Sequence, residues 1–393
     1  MTRDQDLVLF GATGFTGGLT AEYLAGHAPG DCRWALAGRN RAKLEAVRAR
    51  LATINPACAG LTLLHAETED RTSLREVAES SRVVITTVGP YTRYGEPLVA
   101  ACAEAGTDYV DLCGEPEFLD LTYLRHHARA RQTGARLVHA CGFDSIPHDL
   151  GVFYTVNQLP EGVPLRVTGH LRMNGTFSGG TYASAMTAAS RMLPAIRAAR
   201  ARAKAEPRPA GRRVRVETGK PHRDPGTGRW LVPLPTVDPQ VVARSAAALE
   251  RYGPDFTYTH YLSAKRLPVV AGMAAGVAAV VVLAQFPPVR RALGAIKPGV
   301  KPGQGPDPER RARSWFKVRF TGEGGGQRVV TEVAGGDPGY GETAKMLAES
   351  ALCLAFDEVP ATPGQVTPAA AMGEALRARL VDAGIVFRQV VAD

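Results

Sequence analysis

No two cysteines of this 393-residue chain form a CxxC pair; Cys32, Cys58, Cys102, Cys113, Cys141 and Cys353 are scattered. None has a metal-like spacing to a histidine. The pattern excludes a disulfide scaffold or a zinc ribbon and leads us to expect reduced, core-filling thiols and no metal site. Aromatic residues make up only 7% of the chain and none interrupts its most basic stretch, which argues against a base-stacking surface for nucleic acid. Long uncharged apolar runs are missing with one exception, "PVVAGMAAGVAAVVVLAQF" at 268–286. Repeats are missing too. The opening "MTRDQDLVLFGATG" carries acids and turns glycine-rich after one short strand, so it is not expected to be a secretory signal, and a cytoplasmic setting follows.

What is present is an ordinary globular composition, 45% hydrophobic and 22% charged, over a length that suits two domains. From Asp6 to Ala140 short β-branched runs alternate with helical patterns, the signature of a parallel sheet with helices on its faces. Strands are predicted near Leu7–Phe10, Trp34–Ala37, Leu61–His65, Val83–Thr87, Tyr109–Leu112 and Leu137–Ala140. Between them, stretches such as "RAKLEAVRARLA" and "EPLVAACAEAG" place apolar residues three and four apart, and Gly106 and Gly134 stand where helices stop. The expected fold is therefore α/β: a Rossmann-type doubly wound parallel sheet over residues 1–150.

After Pro147 the pattern changes. "LRVTGHLRM" (165–173) reads as a strand of a second sheet, a helix is expected to open near Gly180, and residues 205–240, rich in Pro, Gly and Arg, read as irregular. "SWFKVRF" and "QRVVTEV" suggest an antiparallel pair across "TGEGGG", and "IVFRQVV" a last strand. This gives a second α/β domain with a mixed sheet over 151–335 and a C-terminal segment, 336–393, packing back on the first domain.

The chemistry begins at "VLFGATGFTGG" (8–18). Gly11 ends a buried strand and permits a tight turn, Gly14 lets backbone approach a pyrophosphate, and Gly17 lets the next helix pack closely. With Thr13, Phe15 and Thr16 they form a phosphate cradle at a helix N-terminus. An NAD site usually carries an acid at the end of the second strand, but here "WALAGRNRAKL" places Arg39, Asn40 and Lys43. Cations pair with a 2′-phosphate, so the expected cofactor is NADP(H). Gly89, Pro90, Tyr91, Tyr94 and Glu96 follow the fourth strand, at the edge where ligands sit; Glu96 equally suits a helix start. "CGFDSIPHDLG" after the sixth strand groups Asp144, Ser145, His148 and Asp149, a polar cluster read as binding or proton-transferring beyond what capping requires.

Taken together, "GATGFTG", "VGPYTRYGEPLVAACAEAGTDYVDLCGE", "CGFDSIPHDLG" and "GTFSGGTYAS", in that order, resemble the saccharopine dehydrogenase-like oxidoreductases, especially the trans-acting enoyl reductases. The resemblance runs along nearly the whole chain. It implies an NADP-type Rossmann domain with the matching glycines at Gly11, Gly14 and Gly17, and it carries over no catalytic residue. True saccharopine dehydrogenases have a GxGxxG-type loop and a pocket for an amino-dicarboxylic acid, so an amino acid dehydrogenase is the less favoured function.

The resemblance implies NADPH-dependent reduction of an enoyl, or related carbonyl, group on a lipid or polyketide thioester. Tyr91, Tyr94 and Tyr182 are candidate proton donors, and Asp144, Ser145, Gly179, Gly180 and Thr181 candidate substrate contacts. Residues 197–223 hold ten Lys or Arg against Glu206 and Glu217, so 10 − 2 = +8 of the net +9 sits there. Such a run suits an acidic acyl carrier protein, an anionic membrane or simply solvent. The apolar run 268–286 is open between a buried or interface helix, a peripheral contact at the inner face of the plasma membrane, and a span. The competing class is a catalytically silent NADPH-binding sensor or scaffold.

Overall fold

The computed structural model describes residues 3–175, 191–234, 236–266, 268, 272 and 305–390. The first part of the chain alternates strand and helix: β1 (Gln5–Phe10), α1 (Phe15–His27), β2 (Trp34–Gly38), α2 (Arg41–Ala52), β3 (Thr62–His65), α3 (Arg71–Ser80), β4 (Ser81–Thr86), α4 (Tyr91–Tyr94), α5 (Glu96–Ala105), β5 (Asp108–Asp111), α6 (Pro116–Thr133) and β6 (Arg136–Val138). The second part comprises α7 (Ile146–Val156), β7 (Leu165–Asn174), α8 (Met192–Ala205), β8 (Arg213–Glu217), β9 (His222–Arg223), β10 (Trp230–Pro233), α9 (Asp238–Ala248) and β11 (Asp255–Ala264). The chain closes with α10 (Pro308–Ala312), β12 (Trp315–Gly324), β13 (Gln327–Gly335), α11 (Gly341–Phe356), β14 (Gly364–Val366), α12 (Pro368–Ala371), α13 (Gly373–Asp382) and β15 (Val386–Val390).

The local signals explain the first sheet. Strands β1 and β2 are apolar on both faces because helices cover both. Asn40 and Asp70 cap α2 and α3 through their side chains, while Gly106 and Gly134 end α5 and α6 in the left-handed conformation. The strands form a parallel sheet in the order β14-β6-β5-β4-β1-β2-β3, with Leu7 of β1 opposite both Trp34 of β2 and Val83 of β4. The order reverses between β1 and β4, and a crevice at such a switch point is where ligands bind.

One strand of this sheet escaped the sequence reading. The three-residue β14 comes from the C-terminal segment and pairs with β6, while α11 from the same segment packs on α1, β4 and β5. The second sheet is mixed, in the order β15-β13-β12-β7-β11-β10-β9, with β8 also on β11. Gly325 and Gly326, both at positive φ (56° and 76°), turn the β12–β13 hairpin as the glycine run foretold. Stretch 205–240, expected to be irregular, holds β8, β9, β10 and the start of α9. The alternation in "RVRVE" is the strand signal that its Pro, Gly and Arg content obscured.

Helix α7 joins the two halves, and the boundary expected after residue 150 falls inside it. It leaves the end of the parallel sheet and packs under β12 and β13; a Cβ on Gly151 would lie 2.3 Å from the Phe320 ring, so the missing side chain sets that close approach. Among the described residues no helix is long and apolar enough to cross a membrane. The run 268–286 lies, apart from Pro268 and Gly272, outside the described residues, as does the helix expected near Gly180. All six cysteines are free.

Candidate active site

At the C-terminal edge of the parallel sheet the loops after β1, β4, β5 and β6 converge. Gly11 turns at φ 97°, and its carbonyl accepts from the Gly14 N–H at 3.0 Å. A Cβ on Gly17 would stand 2.2 Å from that same carbonyl oxygen and 2.7 Å from Thr87 Oγ1, so only glycine lets α1 come this close to the strand. Thr13 and Gly14 are exposed. Phe15 packs edge-on against Tyr340 at 4.9 Å between centroids, which brings the loop before α11 to the rim of the cradle. No side chain caps α1 at Gly14, and a helix start left uncapped offers its N–H groups to a pyrophosphate.

At the end of β2, Arg39 and Lys43 are exposed and engage no side chain among the described residues, whereas Arg41 is paired with Glu45 at 3.1 Å. Two uncommitted cations thus lie where a 2′-phosphate would sit. Asn40 has a different task, since its Oδ1 accepts from Lys43 N at 3.0 Å and caps α2. Arg39→Ser should raise the KM for NADPH about 10- to 100-fold, the scale of a charge-assisted hydrogen bond, and leave the KM for NADH nearly unchanged. Initial rates with the two cofactors check this; equal losses with both would count against a 2′-phosphate contact.

The loop after β4 contains the cis peptide Gly89–Pro90 and runs into α4. It is held from below by Glu115, 2% exposed, whose carboxylate accepts from Tyr91 N and Thr92 N, each at 2.9 Å, and from Thr92 Oγ1. Tyr91, expected as a proton donor, is buried at 5% exposure: its hydroxyl donates to Thr86 O at 3.2 Å and accepts from Leu112 N at 3.1 Å. That side chain fixes the β4 and β5 loops to each other and is removed from the candidate acids. Tyr94 is half-buried with Arg93 over its ring at 4.9 Å. Glu96 meets His126 at 2.9 Å, which ties α5 to α6 and leaves no reason to give it a catalytic task.

The loops after β5 and β6 are joined by a network the sequence reading missed. Asp111, at the end of β5, accepts from Tyr109 OH (2.9 Å) and His139 Nδ1 (2.7 Å) with one oxygen and from Cys113 N and Ala140 N (2.9 Å each) with the other. All of these groups are buried. Ala140 holds the uncommon φ of 60°, and the bond to Asp111 pins its N–H there. Loop 140–145 is thereby fixed in position.

That loop presents Asp144. Its carboxyl lies beside Gly114, where a Cβ would be 3.0 Å from Oδ1, and no other described side chain bonds to it. Burial, then the charges of Asp238 and Asp111, push the Asp144 carboxyl up to about 7. The rest of the polar group divides differently from expectation. Ser145, expected to touch substrate, is wholly buried beneath the loop. Asp149 accepts from Ser245 Oγ at 2.5 Å and Ala369 N at 2.8 Å, joining α7 to α9 and α12; burial raises its carboxyl to about 6. His148 points into the interior toward Asp238 and His260. Tyr182, Gly179, Gly180 and Thr181 lie outside the described residues.

Comparison with known proteins places the chain in a family. The family model of the saccharopine dehydrogenase NADP-binding domain matches residues 7–138. A Mycobacterium tuberculosis protein provisionally named a trans-acting enoyl reductase is 39% identical over 413 residues, covering 98% of this chain and 97% of its own. The trans-acting enoyl reductase of Mycobacterium bovis is 37% identical with the same coverage, and that of Mycobacterium ulcerans 36%. Among solved structures, a saccharopine dehydrogenase (L-Glu forming) of Saccharomyces cerevisiae superimposes with a TM-score of 0.55 at 14% identity, covering 98% of this chain and 100% of its own, which establishes shared fold alone.

Proposed function

The chain belongs to the trans-acting enoyl reductases, NADP(H)-dependent oxidoreductases with a saccharopine dehydrogenase-type cofactor domain, and from that premise we propose that it reduces the enoyl group of a lipid or polyketide thioester presented by a carrier protein. The observation that carries the chemistry is the placement of Asp144. A carboxyl group at the sheet edge, beside the loops that cradle the cofactor, keeps its proton near neutrality. The nicotinamide cofactor, held by the cradle of Gly11, Gly14 and Gly17 and by Arg39, would supply the hydride, and the Asp144 carboxyl would give its proton to the α-carbon of the substrate. Incubating the protein with NADPH and a panel of enoyl, ketoacyl and imine substrates tests the reading: loss of nicotinamide absorbance is expected with enoyl thioesters. Tight NADPH binding without turnover on any of them would favour the silent sensor.

The carrier reading rests on helix α8. Two cations of the basic run are spent internally, Arg202 buried against Glu206 at 2.9 Å and Arg212 donating to carbonyls at the end of α9, while Arg213 and Arg215 pair with Asp255 at the surface. The carrier reading therefore falls first on the helical part of the run. Arg197, Arg200 and Lys204 remain exposed, in line along α8 with the exposed Leu193 (67%) and Ile196 (41%). An apolar tip followed by a cationic face suits an acidic helical carrier. Reversing these three charges to Glu should raise the KM for carrier-bound substrate on the order of tenfold at low salt and spare a free pantetheine thioester. An equal effect on both substrates would refute docking at α8.

A further inference from the structure

Three buried side chains from distant parts of the chain meet where α7, α9 and β11 pack together. His148 comes from the first turn of α7, Asp238 from the first turn of α9 and His260 from the middle of β11. They are 1%, 3% and 4% exposed, and their donor atoms all lie within 4.8 Å of one another. Buried polar groups are nearly always paired, and those that are not call for a cause. Here four atoms in one spot, His148 Nδ1 and Nε2, Asp238 Oδ1 and His260 Nε2, are buried without a properly aligned hydrogen bond.

The donor atoms converge closely enough to share one cation. His148 Nδ1 is 2.8 Å from Asp238 Oδ1, and His260 Nε2 is 4.0 Å from Asp238 Oδ2. Nitrogen and carboxylate ligands of a tetrahedral zinc sit about 2.0–2.2 Å from the ion and so about 3.3–3.6 Å from one another, a spacing that the 2.8 and 4.0 Å here bracket and that small side-chain rotations reach. The 4.0 Å gap is too long for a hydrogen bond in either tautomer of His260. Behind the ring, His260 Nδ1 lies 3.0 Å from the hydroxyl of Tyr258, itself fully buried. Donating Nδ1–H to that oxygen turns the Nε2 lone pair toward Asp238, the outer-shell arrangement that orients metal-binding histidines.

We propose that His148, Asp238 and His260 form a zinc site that staples the linker helix α7 to α9 and the second sheet. Two imidazoles and a carboxylate are a donor set for zinc, and a water completes the tetrahedron. Because α7 carries straight on from the loop that holds Asp144, the staple sets how the second sheet sits over the cofactor crevice. Cysteine spacing could not reveal it, since no ligand is a cysteine and the three lie far apart in sequence.

The test uses the full chain and zinc alone. After expression in zinc-supplemented medium and desalting, the protein should retain about one equivalent of zinc by mass spectrometry. Chelator-stripped protein should gain roughly 3 °C in Tm when zinc is restored a hundredfold above its Kd. Cobalt in place of zinc should give the visible absorption of a tetrahedral N,O site in the unaltered protein, a readout that needs no variant to fold. His260→Gln and Asp238→Asn should each lose the metal and the Tm gain. A metal-free wild type with a zinc-independent Tm and no cobalt band overturns the site, and so does full zinc retention in both variants.

Discussion

Asp144→Asn should lower kcat by about 10²–10⁴, the range for loss of a positioned general acid, while NADPH binds as before. The amide keeps the size and polarity of the carboxyl but has no proton to give. Nothing else in the loop depends on that side chain, since Asp111 fixes Ala140 and Cys113 from the other side. The pH dependence carries the sign. The folded-state value, raised to about 7 chiefly by burial, makes the active form the protonated one. Rates with wild type should therefore be highest below pH 7 and fall as pH rises through it, and this limb should vanish in the asparagine variant. Fluorescence titration with NADPH separates the two effects, because a parallel loss of cofactor affinity would mean that Asp144 shapes the cradle instead.

Gly17→Ala is the second large effect. The added Cβ would meet the Gly11 carbonyl at 2.2 Å and Thr87 Oγ1 at 2.7 Å, and neither the backbone oxygen nor a strand-end threonine can step aside cheaply. Helix α1 has to lift away, and its N-terminal N–H groups leave the pyrophosphate. A misplacement of about 1 Å costs on the order of 100-fold, so NADPH affinity should fall by at least that. Overpacking by about 1–3 kcal/mol corresponds to a Tm drop of roughly 1–4 °C. Gly26→Ala in the same helix is the control: it is exposed with nothing within 4 Å, and the change should hold or slightly raise stability while sparing NADPH. Calorimetry and cofactor titration of the pair distinguish a local clash from a general intolerance of α1.

The parallel sheet was legible because its information is local. Each strand from β1 to β6 is a short apolar run between turn residues, and the left-handed glycines 106 and 134 mark helix ends in the sequence itself. Strand β14 was not, since three residues, Gly364–Val366, carry no periodicity and become a strand only because β6 offers a free edge. In the site, the glycines and Arg39 belong to a fingerprint whose spacing is fixed by the cofactor. Glu115, Asp111 and His139 belong to none. They act on backbone N–H groups that loop closure alone brings near, and Tyr91 was misread for the same reason: its neighbours Thr86 and Leu112 become neighbours only in the sheet.

The central claim is that this crevice moves a hydride from NADPH to the β-carbon of a carrier-bound enoyl thioester. NADPH deuterated at the transferring position of the nicotinamide, supplied with an enoyl-loaded carrier protein, tests it most directly by mass spectrometry of the released acyl chain. The account predicts a saturated product carrying one deuterium at the β-carbon and a solvent-derived hydrogen at the α-carbon. An unreduced acyl chain, or a saturated one free of deuterium at the β-carbon, would contradict it.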